Sequence, residues 1–203
     1  MHNAQAAESA DQHFPGWVHR LIGRVKVVGT LPPGPVLLCS NHTSYRDVFI
    51  YEALRPGAHL LATPLVFSFP GLKGFAVRHG FVPVSIEAAV GLLKQGTTVA
   101  ICPSGIVEGR GEDLLPFKTG AVRIAVQADV PVVPMYIQYR TYPGRWIERF
   151  SITTQNVWLF LLAPFYRTGA TVFIGEPYRV DAADAKAATV DLKAKVLALR
   201  GPR

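Results

Sequence analysis

Apolar and polar residues in this chain fall into short alternating blocks, and the period of each block separates helices from strands. From Phe14 onward, Trp17, Val18, Leu21, Ile22 and Val25 recur at helical spacing, while Arg20, Arg24 and Lys26 fall on other faces. That predicts a short basic amphipathic helix, a pattern met both by helices packed on a core and by helices lying on a membrane. Leu31-Pro32-Pro33-Gly34-Pro35 is a rigid break. The apolar run over 36–39 predicts a buried strand. A helix follows to about Leu54, closed by Arg55-Pro56-Gly57 because the residue before a proline leaves helical space. Further strands are predicted over 59–62, 80–84, 98–102, 130–136 and 171–174. Further helices are predicted over 86–94 (closed by Gly96), 117–128 and 182–199. Between them, 64–74 is apolar and punctuated by proline and glycine, and 103–115 is a loop rich in glycine and charge. Residues 138–152 read as irregular and basic, with Arg140, Arg145 and Arg149, and 157–165 is densely apolar.

Strands taking turns with helices predict an α/β fold, a mostly parallel central sheet flanked by helices. No repeat or linker divides the chain, so a single domain is expected over 14–203, after a polar, aperiodic stretch over 1–13 expected to be disordered. The 203 residues are enough to bury a substantial core. With 49% hydrophobic and only 17% charged residues, the chain has either a large core or greasy surface left for a lipid.

Charge and cysteine usage narrow the classes further. Twenty-one Lys and Arg against 14 Asp and Glu leave a formal charge of +7, which suits an anionic membrane surface or acidic substrates. No run of Lys and Arg is interleaved with aromatics, so nucleic acid is set aside. No apolar run reaches the roughly 18–20 residues a spanning helix needs, and the polar start lacks the features of a secretory signal. The expected location is therefore the cytoplasm, free or bound peripherally at the inner face of the membrane. Cys39 and Cys102 each close a predicted strand, read as buried reduced thiols, and lack metal-ligand spacing.

The chemistry concentrates where the strand over 36–39 meets the next helix, at Ser40-Asn41-His42-Thr43-Ser44-Tyr45-Arg46-Asp47. A histidine at a strand-to-helix turn is well placed as a general base, and a carboxylate five positions on can return to the imidazole and set its tautomer. The spacing alone is unspecific: a polar cap, with Ser44 or Asn41 capping the helix, explains it too. His59 heads a short strand with no acidic neighbour and reads as structural.

Four segments in order carry a resemblance. They are Asn41-His42 with Asp47; Gly80-Phe81-Val82-Pro83-Val84; Pro103-Ser104-Gly105, continued by Pro116-Phe117-Lys118-Thr119-Gly120; and Val130-Pro131-Val132-Val133-Pro134. From about Val27 to Val180 the chain resembles the glycerolipid acyltransferases of the lysophosphatidate acyltransferase type. The resemblance implies a glycerol-3-phosphate acyltransferase-like fold and no cofactor. It implies a donor that is acyl-CoA or acyl-carrier protein and an acceptor whose hydroxyl or amine attacks the thioester. It casts His42 as the general base and Asp47 as its orienting partner, so neither Ser44 nor Cys39 is needed as a nucleophile. Backbone N–H groups near Pro103-Ser104-Gly105 are candidates for an oxyanion site, and Asn41, Ser104 and Gly105 are expected to touch substrate.

The chain also departs from that family's pattern. Phosphate-using members end the second block in arginine, where this chain has Ile86. Their third block reads Pro-Glu-Gly-Thr-Arg, where this chain has Ser104 and Val107 in place of the glutamate and arginine. A guanidinium holds phosphate bidentately and neither isoleucine nor valine can do so. The expected acceptor is therefore one without phosphate. A lysophospholipid acceptor stands as the alternative, and a non-catalytic lipid-binding homologue as a third reading. Glu108 is a candidate replacement for the lost carboxylate, and Arg110 and Arg78 for the lost cations. The plainer readings are solvated loop charges for Glu108 and Arg110, and a surface residue flanking a strand for Arg78. Lys118 is either a partner for the donor's phosphates or a surface lysine. The apolar stretches over 64–75 and 157–165 suit acyl-chain walls, membrane docking or core packing equally.

Overall fold

The computed structural model describes residues 16–68, 70–107, 114–140, 150, 154, 158, 169–181 and 183–201. Seven strands form one sheet in the order β1-β7-β6-β2-β5-β3-β4. They are β1 (Val25–Val28), β2 (Leu37–Ser40), β3 (His59–Ala62), β4 (Phe81–Pro83), β5 (Val99–Ile101), β6 (Val132–Tyr139) and β7 (Ala170–Ile174). The helices are α1 (Gly16–Ile22), α2 (Asp47–Leu54), α3 (Pro64–Ser68), α4 (Pro70–Arg78), α5 (Ile86–Lys94), α6 (Gly120–Ala128) and α7 (Ala185–Ala198). Strands β2 to β6 all run one way; β7 pairs antiparallel to β6 and parallel to β1, so β1 and β7 run against the other five. This is the mostly parallel α/β sheet that the alternating pattern predicts.

Every residue of β2 is fully buried. Side chains alternate across a strand, so Leu38 joins the cluster built with Val18 and Ile22 of α1 and Ile50, Tyr51 and Leu54 of α2. Leu37 and Cys39 face the other cluster, built with Leu93 of α5, Ile124 of α6 and Leu192 of α7. A strand covered on both faces reads as a continuous apolar run, which is why 36–39 stands out in the sequence. Burying each such leucine or isoleucine contributes roughly 1.5–3 kcal/mol, so the centre of the sheet, where β2 ends, is the stiffest place available to hold a side chain.

The structure differs from the sequence reading at several boundaries. Val25 belongs to β1, not to the first helix, because Gly23 takes a left-handed φ of 89° and turns the chain out of α1. The stretch over 64–74 folds as α3 and most of α4. Helix α6 starts at Gly120, three residues later than predicted; Lys118 lies before it, its N–H donating to Pro103 O at 3.0 Å. Strand β6 does not stop at 136. Its pairing with β7 carries it on, Gln138 opposite Thr171 and Tyr139 opposite Ala170, so two residues expected to be irregular lie in the strand. The expected disordered stretch over 1–13 lies outside the described residues, as does most of 141–168, including the apolar segment except Trp158.

Candidate active site

In open α/β sheets, sites form beyond the carboxyl ends of the strands, and that is where β2 releases Asn41 and His42. The β2–β6 ladder ends at Ser40 opposite Met135. Asn41 then continues it with its side chain: Nδ2–H donates to Ile137 O at 2.9 Å, and Oδ1 accepts from Ile137 N–H at 2.7 Å. Asn41 is fully buried. Both ends of its amide are engaged by β6 backbone that would otherwise lie unpaired, so its observed role is structural.

His42 follows, its Nδ1 2.9 Å from Asp47 Oδ2, with the imidazole 20% exposed and the carboxylate 1%. Asp47 is the first residue of α2, where free N–H groups and the helix dipole favour a carboxylate. Its Oδ2 also accepts Thr43 N–H at 3.0 Å and Ser44 N–H at 3.1 Å. Its Oδ1 accepts the Tyr139 hydroxyl at 2.8 Å. Four groups thus converge on one carboxylate, three of them donors without choice. With the carboxylate serving as acceptor throughout, Nδ1 must carry the proton, and Nε2 keeps the lone pair. The loop Asn41–Arg46 wraps around Asp47, so the five-residue spacing in the sequence is the span of a closed turn about the carboxylate.

Below this turn a buried polar group joins three elements. The Tyr51 hydroxyl of α2 meets Ser40 Oγ and lies 3.4 Å from Cys102 Sγ, while Ser40 Oγ donates to Asn41 O at 2.6 Å. Burial first, then the neighbouring Cys102 and Asp47, raises the Tyr51 hydroxyl well above the usual tyrosine range. Burial, reinforced by Cys102, likewise raises the Cys39 thiol, leaving it no nucleophile. Tyr45 sets its ring edge-on to His42, centroids 6.0 Å apart, at the exposed side of the turn.

Beside His42, the end of β5 supplies Pro103-Ser104-Gly105. Gly105 has φ +77°, and a β-carbon there would lie 3.0 Å from Lys118 Nζ, so the lysine ammonium rests directly over the glycine. Ser104, Gly105 and Lys118 are therefore brought together. Pro103 has no amide hydrogen and Gly105 N–H donates to Cys102 O at 2.9 Å, so the turn itself has at most the Ser104 N–H for an oxyanion. The Ser104 hydroxyl donates to Ile106 O at 3.2 Å. Val107 is 2% exposed, and Ile86 packs on the core at the start of α5. Both positions where the resembled family carries arginine thus turn apolar side chains inward.

The other expected site residues part from this group. Arg78 ends α4 just before β4 with its side chain exposed, on a helix whose end packs through Phe75 and His79 against Phe49 of α2. Glu108 and Arg110 lie outside the described residues. His59 bonds Gly80 O through Nδ1 at 2.9 Å, a structural tie between β3 and β4. A cavity of about 260 Å³ among Gly34, Arg55, Gly57 and Thr98 opens at the amino ends of β2, β3 and β5, the wrong end of the sheet for this chemistry. Tyr139 is the site residue that the sequence reading missed. The signal was available, because Val133, Met135, Ile137 and Tyr139 keep period two past the point where the strand was ended.

The family model described as "Acyltransferase" matches residues 24–138. The chain is 34% identical over 144 residues to human 1-acyl-sn-glycerol-3-phosphate acyltransferase alpha, covering 63% of this chain and 50% of that protein. It is 29% identical over 162 residues to the lyso-ornithine lipid O-acyltransferase of Brucella abortus, covering 68% and 60%. The solved 1-acyl-sn-glycerophosphate acyltransferase PlsC from Thermotoga maritima shares the fold with a TM-score of 0.62 at 21% identity, over 89% of this chain and 74% of that one. The chain thus spans about half the length of its human relative. These relatives run against the expectation of a phosphate-free acceptor at least as often as with it.

Proposed function

This chain belongs to the acyltransferase family, and from that premise we propose that it moves a fatty acyl group from an acyl thioester to the free hydroxyl of a lysolipid, 1-acylglycerol-3-phosphate-type acceptors included. One observation carries the reading. His42 has its Nδ1 fixed on a carboxylate that three other groups hold in place, and its Nε2 is left as a base on the exposed side of a strand end. His42 Nε2 takes the acceptor's hydroxyl proton as the oxygen attacks the thioester carbonyl. The tetrahedral adduct then collapses, the carbon–sulfur bond breaks, and the thiolate recovers the proton from the imidazolium. The donor is acyl-CoA or acyl-carrier protein, and Lys118, whose ammonium rests over the Gly105 turn, is a candidate partner for the donor's phosphates.

A second reading, an acceptor without phosphate such as a lyso-ornithine lipid, is favoured by Ile86 and Val107, whose side chains pack inward where a guanidinium would be needed. Thiol release from acyl-CoA, followed with lysophosphatidate, with lyso-ornithine lipid and with no acceptor, separates the two. Acceptor-dependent release that His42→Ala abolishes supports acyl transfer. Release equal in wild type and His42→Ala with every acceptor sinks it and leaves a lipid-binding homologue.

For location, no helix among the described residues is long and apolar enough to cross a membrane. Trp17 and Phe75 are exposed, joined through Phe49 in one run of edge-on rings, and Arg20, Lys73 and Arg78 are exposed on the same helices α1 and α4. That combination supports peripheral docking on an anionic bilayer. Co-sedimentation with anionic but not neutral vesicles at low salt is the expected result; a supernatant protein in both would remove this part.

A further inference from the structure

Strand β6 does more than complete the sheet. After β2 ends, four more residues of β6 run on over the loop: Ile137 clasps Asn41, and Tyr139 reaches Asp47. The Tyr139 hydroxyl stands 2.8 Å from Asp47 Oδ1, the carboxylate oxygen that neither His42 nor the loop amides use. From β6 and from the loop, then, the two oxygens of Asp47 are held on opposite sides, and the carboxylate cannot rotate without breaking a bond on each. We infer that Tyr139 is a positioning residue for the acyl-transfer site, holding Asp47 in the rotamer that orients His42 and moderating the charge His42 feels.

The hydroxyl is the right group for this. Burial first, then the adjacent Asp47 charge and their hydrogen bond, raises Tyr139 well above the usual tyrosine range, so it stays a donor throughout the working pH range. Ser44 also reaches it, with a side-chain bond acting in the opposite sense. The groups facing the pair come from every neighbouring element: His42, Tyr45 and Arg46 from the loop, Tyr51 from α2, Cys102 from the end of β5. Arg46 is buried and acts electrostatically on Tyr139. Taking away the tyrosine hydroxyl removes a dipole that faces its positive end to the carboxylate. The negative charge beside His42 is then less compensated, the imidazolium is favoured, and more alkaline solution is needed to free the base.

The inference rests on the proposed acyl transfer, and its test separates the two. Tyr139→Phe in the full chain is expected to lower kcat about tenfold, leave KM within about twofold, and move the acid limb of kcat/KM up by about half a pH unit. NMR titration of His42 in the substrate-free protein is expected to show the same upward shift, so that readout does not depend on the acceptor. In an Asp47→Asn background, Tyr139→Phe is expected to cost less than about twofold, because its route to His42 has gone. Unchanged kcat and His42 titration in Tyr139→Phe, or an undiminished loss in the Asp47→Asn background, would overturn the positioning role. If His42→Ala is as active as wild type, the acyl-transfer reading fails instead, and the titration still decides whether Tyr139 tunes His42.

Discussion

Two histidines in this chain sit at the same distance from a carboxylate, and only one has the surroundings of a base. His42 Nδ1 is 2.9 Å from Asp47, and His79 Nδ1 is 2.9 Å from Glu52. Around Asp47, two backbone amides and a tyrosine hydroxyl join the histidine, and the carboxylate is buried. Glu52 is 32% exposed midway along α2, and His79 lies between the rings of Phe49 and Phe75, at centroid distances of 5.6 and 4.4 Å, just before β4. The first pair stands beyond the carboxyl end of the central strand, the second toward the amino end of an edge strand. Contact distance alone therefore says little. What sets the proposed catalytic pair apart is how many independent elements hold the carboxylate and how deeply it is buried.

The comparison can be broken most sharply at the histidines. His42→Ala is expected to reduce acyl transfer by about 10²–10⁴-fold, whereas His79→Ala should stay within about twofold of wild type in the same thiol-release assay. A loss of similar size from both would mean that position in the sheet does not matter. The carboxylates come next. Asp47→Asn places an amide where the loop amides and Tyr139 all donate, so it should cost on the order of 10²-fold or more in kcat by scrambling the tautomer. Glu52→Gln should leave kcat unchanged and, as a partly exposed pair, lower stability by about 1 kcal/mol or less. Between these lies the scaffold: Asn41→Ala strands the buried N–H and C=O of Ile137 and is expected to lower unfolding free energy by about 2–4 kcal/mol in denaturant titration. An Asn41→Ala protein as stable as wild type would show that the loop is held by something other than β6.

Much of this was legible from residue order because it depends on local rules. The helix over 86–94 matches α5 at both ends: Ser85 caps it, its Oγ accepting Ala88 N–H at 3.2 Å, and Gly96 takes the left-handed φ of 85° that ends it. The buried run of β2 and the pair His42 and Asp47, five residues apart, were visible for the same reason. Errors arose where a long-range partner decided. The period-two pattern through Tyr139 is a weak local signal; the ladder that holds Gln138 and Tyr139 in the strand comes from Thr171 and Ala170, some thirty residues on. Val25 has the spacing of α1 but pairs with Ala170 in β1.

The site divides along the same line. By itself the sequence located the proposed chemistry: a histidine and an aspartate at a strand-to-helix junction, set among blocks that order a single α/β sheet, because burial period, glycine turns and helix caps act over a few residues. Only the tertiary structure decided who works with that pair. It clasped Asn41 on Ile137, laid Lys118 over Gly105, and brought Tyr139 across 92 residues to Asp47. Those outcomes follow from strand order and register, which are settled by pairings between distant segments of the chain.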